Sequence, residues 1–312
     1  KIVESKKQLA YLYALSHIRG LGPVKVKTLL SRFPDLCEIF YLDVDTLMSI
    51  KGVSRELALQ IKVQAEHLEE AEVFISMQLE IAKELGARLI PITSEDYPKL
   101  LKKASSSPEI LYVLGDFSVL ERLHKDCISI AGTRRSTEYG ERCAYNLGKE
   151  FVSLGWTVVS GLARGIDAAA HRGCIDANGR TVAAVGSGVD VMYPKETISE
   201  RNRILEHGLV VSEYPFRTRP LVVNLKRRNK IIVGLSEASI IVQTGIKGGA
   251  YNAVQAAKEQ KKLVFAIRPD SDQKQFDGNL ELIEHRKAIP VSSQIGAREI
   301  IEMIESEGTT LL

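Results

Sequence analysis

Four short stretches of this chain could hold an anion: AGTRRS (131–136), SGLARG (160–165), GSGVD (186–190) and TGIKGGA (244–250). Each follows an apolar run and precedes a helical pattern. Glycine lets the main chain approach a ligand closely, and a helix that starts just beyond it presents unpaired N–H groups and the positive end of its dipole. Arg134 and Arg164 stand in two of these turns, and the stretch from Arg217 to Lys230 holds six cations and no acid. Phosphate binding is the chemistry this set suits.

Cofactor chemistry is poorly supported. GSGVDVM carries Val191 where the third glycine of G-x-G-x-x-G belongs, and no G-x-x-x-x-G-K-[ST] occurs. Asp167 and His171 lie four apart on one helix, but no serine or cysteine in an activated setting accompanies them, and an acid near a helix start has a structural use of its own. His171 and Cys174 make an H-x-x-C spacing without two further ligands, so a polar helix residue and a packed thiol are expected there. The cysteines Cys37, Cys127, Cys143 and Cys174 are scattered, which gives neither a disulfide framework nor a zinc site. No catalytic residue, cofactor or metal is expected.

The elements that must position the turns follow from periodicity. From Cys127 onward, the runs CISIAG, WTVVSG, TVAAVG, LVVSEYP, ASIIVQTG and KLVFAI are separated by helical patterns over 138–154, from 166, near 198–207 and across 250–259. Continuous apolar strands alternating with helices predict an α/β fold with a Rossmann-like doubly wound, mainly parallel sheet, whose ligands sit at the carboxyl ends of its strands. All four turns therefore open on one edge.

Residues 8–85 instead show helical spacing with short breaks, a small all-helical module. HIRGLGPVKVKTLL (17–30) and SIKGVSRELALQI (49–61) each place an apolar-x-Gly-apolar-(Gly/Ser) turn between helices, the helix-hairpin-helix pattern, which serves either to bind a nucleic-acid phosphate or simply to pack helices. The expected division is 1–85 helical, 86–125 connector and sheet edge, and 126–312 Rossmann-like. With 45% apolar and 26% charged residues among 312 and a net charge of +3, the composition is that of a soluble globular chain. No apolar run reaches bilayer length, so no membrane association is expected and a cytoplasmic location is.

Together these residues resemble the DprA (Smf) family of DNA-processing proteins. SGLARGIDAAAHRG agrees with the family signature almost letter for letter. AGTRRSTEYG is similar to its G-[ST]-R-x-x-x-x-Y-G first turn, RRNKIIVGLS to its R-N-R-I-I-x-G-L-S, and VDVMYPKE, VVSEYP, EDYPKLL and SSPEILYVLGD to further landmarks. The resemblance covers most of the chain. It implies a non-enzymatic single-stranded DNA-binding protein, a homodimer, that protects incoming strands and loads the RecA recombinase in transformation and recombination. Arg134 corresponds to the family's DNA-contacting arginine, and Arg228, Asn229 and Lys230 fall on its R-N-R.

The expected DNA contacts are Gly132, Thr133, Arg134, Gly161, Arg164, Gly165, Lys226, Arg227, Arg228, Asn229, Gly248 and Gly249. The chain departs from the family pattern at Leu225 and Lys226, where F-P is usual, at Gly248–Ala250, where S-G-S is, and at Arg268 and Pro269. A C-terminal winged helix is not expected, because only about forty residues follow Arg268. The alternative reading is a nucleotide-binding or nucleotide-cleaving protein of the related lysine-decarboxylase-like/phosphoribohydrolase group, whose P-G-G-x-G-T turn partly resembles KGGA.

Overall fold

Six helices open the chain: α1 (Ile2–Ser16), α2 (Pro23–Arg32), α3 (Leu36–Tyr41), α4 (Val44–Met48), α5 (Arg55–Ala65) and α6 (Leu68–Leu85). The structure, a computed structural model, describes residues 2–310 apart from 34, 247, 271–274 and 294–295. The two hairpin turns are geometrically alike, with Gly20 at φ +87° and Gly52 at φ +88°. A Cβ on Gly20 would meet nothing within 4 Å, so it is the left-handed backbone, not lack of room, that requires glycine there. Ser54 caps α5 by accepting from the Leu57 N–H at 3.2 Å; Gly22, its counterpart before α2, has no side chain to do so. The short α3 and α4 are additions to the sequence reading.

The rest alternates strands and helices: β1 (Arg88–Pro91), α7 (Lys99–Lys103), β2 (Ile110–Gly115), β3 (Cys127–Ala131), α8 (Glu138–Ser153), β4 (Thr157–Ser160), α9 (Ile166–Asp176), β5 (Thr181–Ala184), α10 (Ile198–His207) and β6 (Leu209–Ser212). There follow α11 (Val222–Arg227), α12 (Asn229–Gly234), β7 (Ala238–Ile241), α13 (Tyr251–Glu259), β8 (Leu263–Arg268), α14 (Asp277–Glu284), β9 (Ile289–Ser292) and α15 (Ala297–Thr310). All lie in or on one nine-stranded sheet of order β1-β2-β6-β5-β4-β3-β7-β8-β9. From β6 to β9 every pairing is parallel, whereas β1 and β2 form an antiparallel margin beside β6. The sheet is thus the doubly wound one expected, and the connector segment supplies its antiparallel edge.

Two-residue alternation assigns each strand's side chains to opposite faces. On β8, Phe265 and Ile267 join the cluster under α8, α9 and α15, while Val264 and Ala266 join the one under α13 and α14. The remaining cluster runs unbroken from Leu9 through Tyr97 and Tyr112 to Leu235, so the helical region shares its core with the sheet margin. Helix α9 is rich in alanine because it packs very closely on α8: a Cβ on Gly148 would overlap the Ala170 carbonyl, and one on Gly173 the Tyr145 carbonyl. Small residues at that crossing are what let the two backbones approach.

Candidate nucleic-acid interface

Strand order reverses at β3, whose successors run outward to β6 on one side and to β9 on the other. A crevice is expected beyond the carboxyl ends of the strands at such a switch point, and the structure has one. It consists of two adjoining hollows of about 260 and 440 Å³ that share Arg134, Ala163, Tyr193, Leu225 and Arg228 as wall.

The first turn is held by the neighbouring strand. The Thr133 N–H donates to the Gln243 carbonyl at 2.8 Å, and the Gln243 side-chain oxygen accepts from the Thr137 N–H at 3.0 Å. Thr137 in turn caps α8, accepting from the Gly140 N–H. Gly132 has no room for a side chain, because Ile166 already stands where one would be. These constraints leave Arg134 and Arg135 exposed at the mouth of the larger hollow.

The second turn, 161–165, is more strained. Leu162 adopts φ +56° and Gly165 φ +82°, and a Cβ on Gly165 would come within 2.6 Å of the Thr133 carbonyl. Glycine is therefore needed at 165 both for its dihedral angle and for the contact between the first two turns. Arg164 projects outward and meets Glu196 at 3.8 Å, with more than half of each side chain exposed. Such a pair is worth little in water, which leaves Arg164 available to another anion. In the third turn, Gly186 abuts the main chain of Asn224 and Leu225, and so locks α11 against the sheet.

Beneath the hollows lies a buried charge pair. Arg228 is 7% exposed and Asp167 6%; their closest atoms are 3.4 Å apart, and a second guanidinium nitrogen donates to the Ala184 carbonyl at 3.0 Å. Asp167 also accepts from the Ala163 N–H at 3.4 Å. Burial pushes the Asp167 carboxyl up and the Arg228 charge beside it pulls it down, with burial the larger effect. His171, one turn further along α9, is wholly buried; burial holds its pKa down at about 3, so the ring is neutral, with Nδ1 on the Thr181 hydroxyl at 2.8 Å. Cys174 is wholly buried as well. The H-x-x-C pair is structural.

Nine of the expected contact residues line this cleft: Gly132, Thr133, Arg134, Gly161, Arg164, Lys226, Arg228, Asn229 and Gly249. Three do not. Gly165 lies behind the first turn and shapes it. Gly248 closes a turn by donating its N–H to the Gly245 carbonyl at 2.9 Å; Lys247 beside it lies outside the described residues. Arg227 lines a different cavity together with Lys230: Arg228 keeps helical dihedral angles, φ −55° and ψ −24°, so α11 runs on into α12, and helical spacing puts Arg227 and Lys230 on one side and Leu225, Arg228 and Asn229 on the other. Arg228, expected as a free phosphate ligand, is mostly committed to Asp167 and Ala184 and forms a floor rather than a rim. Sequence reasoning missed Arg135, Tyr193 and Asn252 in the lining and Gln243 behind it; the second arginine of AGTRRS was the one visible signal.

Residues 88–305 match the family model of DNA recombination-mediator protein A. The chain belongs to that family. Residues 13–66 match the model of a SAM-like helix-hairpin-helix tandem. Protein Smf of Synechocystis is 32% identical over 289 residues, spanning 92% of this chain and 71% of its own. The DNA processing protein DprA of Bacillus subtilis is 37% identical over 202 residues, 65% of this chain and 67% of its own. Among solved structures, DprA from Streptococcus pneumoniae superposes with TM-score 0.73 over 95% of this chain and 97% of its own at 24% identity, which shows the shared DprA fold. DNA processing protein A from Helicobacter pylori, solved for its single-stranded DNA binding mode, gives TM-score 0.61 at 25% identity over 71% of this chain and 96% of its own. Of the DprA landmarks, the first turn brings Arg134 to the cleft, the second Arg164, and the R-N-K segment Arg228 and Asn229, while Lys230 lines a separate cavity. Among the described residues no helix is long and apolar enough to cross a membrane.

Proposed function

We propose that this DprA-family chain binds the backbone of single-stranded DNA along the cleft. The observation that carries the reading is convergence. Glycine turns after β3, β4 and β5 reach one sheet edge, where the exposed cations Arg134, Arg135, Arg164 and Lys226 surround hollows floored by the charged Arg228. Cations of this kind displace condensed counterions from phosphates, so affinity falls with salt and depends little on sequence. The single-strand binding described for the Helicobacter pylori relative supports the same reading.

Handing the strand to RecA in transformation and recombination, acting as a homodimer, working in the cytoplasm and lacking catalytic turnover are part of the proposal. Against turnover stands the chemistry beneath the cleft: His171 is neutral and enclosed, and Asp167 is tied to Arg228, so neither is placed to move a proton to or from a ligand. We also propose that the helical module to residue 85, the 86–125 segment and the 126–312 sheet domain work as one unit, since a single apolar cluster joins them.

The test is a titration of fluorescently labelled oligo-dT with the full chain and with Arg134→Ala. Salt-sensitive binding that weakens about tenfold or more in the variant supports the reading, the loss expected for one charge-assisted contact. Absence of single-strand binding, or saturable cleavage of a mononucleotide at the same cleft, overturns it.

A further inference from the structure

A separate cavity of about 670 Å³ lies where the first hairpin turn of the helical module meets the end of β6. Its size falls within the roughly 300–1,000 Å³ usual for small-molecule sites. Three kinds of group meet in it. On one wall are aromatic rings, Tyr13, Tyr112 and Tyr214; Tyr13 is held in place by stacking on Phe74 at 4.4 Å between centroids. Tyr112 is only 2% exposed and its hydroxyl has no hydrogen-bond partner among the described residues. On another wall are the carboxyls of Glu109 and Glu213. Burial, reinforced by the Glu213 charge, pushes the Glu109 carboxyl up to about 7. Arg227 and Lys230 line it too, as do the Gly20–Gly22 turn and the start of α2; Lys230 meets Glu259 at 3.0 Å in a half-exposed pair that is worth little in water.

A buried hydroxyl without a partner and a carboxyl pair in one hollow are both unfavourable in the empty protein, and one ligand would relieve both. Ionised carboxylates only accept hydrogen bonds, and a tyrosine hydroxyl can donate one. The complementary edge is therefore two adjacent N–H donors next to a carbonyl, which is the N1–H, exocyclic amine and O6 edge of guanine. Adenine and cytosine interleave donor and acceptor differently, and uracil has one donor. A phosphate at the far end would meet two cations and a helix start.

We propose that this cavity is a guanine-nucleotide site, with the base among the tyrosines, its donor edge on Glu109 and Glu213, its O6 on the Tyr112 hydroxyl, and its phosphate at the Gly20–Gly22 turn between Arg227 and Lys230. None of the exposed cleft cations Arg134, Arg164 and Lys226 lines it, so the site stands or falls independently of the DNA reading.

Calorimetric titration with GMP, AMP, CMP and UMP at pH about 8, above the Glu109 value, tests it on the full chain. One saturable GMP site is expected, with the other monophosphates at least tenfold weaker. Glu109→Gln should weaken GMP at least tenfold and erase the preference over AMP, and Arg134→Ala should leave GMP binding unchanged. Tyr112→Phe removes a hydroxyl that has no partner among the described residues, so it should lower GMP affinity while keeping or raising the melting temperature. No GMP binding at millimolar concentration, equal binding of all four monophosphates, or a loss in Arg134→Ala that Glu109→Gln and Tyr112→Phe do not share overturns the proposal.

Discussion

Replacing Asp167 by Asn is expected to cost about 3–5 kcal/mol of folding stability, the usual result of removing one partner from a buried pair. The geometry leads to the same figure. At 3.4 Å two unit charges attract by about 5 kcal/mol at an effective dielectric constant near 20, and asparagine keeps only a fraction of that through its amide oxygen. Arg228 cannot retreat into water, because it is 7% exposed and its guanidinium already fills the space beside Gly161. Nor can it shed its charge. Arg228→Met behaves differently, since the carboxyl left behind can take up a proton. Its folded pKa, already raised by burial, climbs further, so the fold is favoured below the unfolded value of about 3.9 and loses stability as pH rises through the folded one. Urea unfolding at pH about 5 and about 8 should show a deficit for Arg228→Met that grows with pH, and one for Asp167→Asn that does not. A deficit under about 1 kcal/mol for Asp167→Asn, or an Arg228→Met deficit that shrinks as pH rises, would refute the argument.

Other consequences can be checked by the same means. His171 has a folded pKa of about 3 against about 6.5 unfolded; its contribution is complete above about 6.5 and lost as pH falls, at up to about 1.4 kcal/mol per unit, and His171→Leu should flatten that slope. Glu109 acts in the opposite sense, with a folded pKa of about 7 above an unfolded value of about 4.3, so stability drops as pH rises across that interval and Glu109→Gln should remove the drop. Gly165→Ala should destabilise by about 1–3 kcal/mol, because alanine is strained at φ +82° and its Cβ meets the Thr133 carbonyl. A melting temperature unchanged in that variant would show that the first two turns are not locked together.

The glycine turns were legible because glycine is the residue whose presence reports backbone shape directly, and apolar strands buried on both faces read as continuous runs. The direction of each cation was not legible. Arg227, Arg228 and Lys230 are close in sequence, and because Arg228 keeps helical dihedral angles between α11 and α12, helical spacing puts Arg228 on the cleft side and Arg227 and Lys230 on the side of the cavity at β6; the sequence offers no helix signal over 222–234 from which that could be read. β9 escaped because it is short, half exposed and carries Pro290, which suits an edge strand and breaks the pattern of a buried one. Helices α3 and α4 span less than two turns, too short for periodicity to register. Gln243 positions the first turn by main-chain and side-chain bonds to residues more than a hundred positions earlier, a relation that exists only once β3 and β7 pair.

The central claim, that a strand's backbone lies on this cleft and is held by its exposed cations, is tested most directly by the salt dependence of oligo-dT binding. The logarithm of the association constant against the logarithm of salt concentration gives a slope that counts neutralised phosphates, with about 0.7 lost for each contact removed on a single strand. Arg134→Ala and Lys226→Ala should each flatten the slope by about that amount, and Arg227→Ala, whose side chain faces the other cavity, should leave it unchanged. An unchanged slope for Arg134→Ala and Lys226→Ala, with a flattened one for Arg227→Ala, would contradict the account.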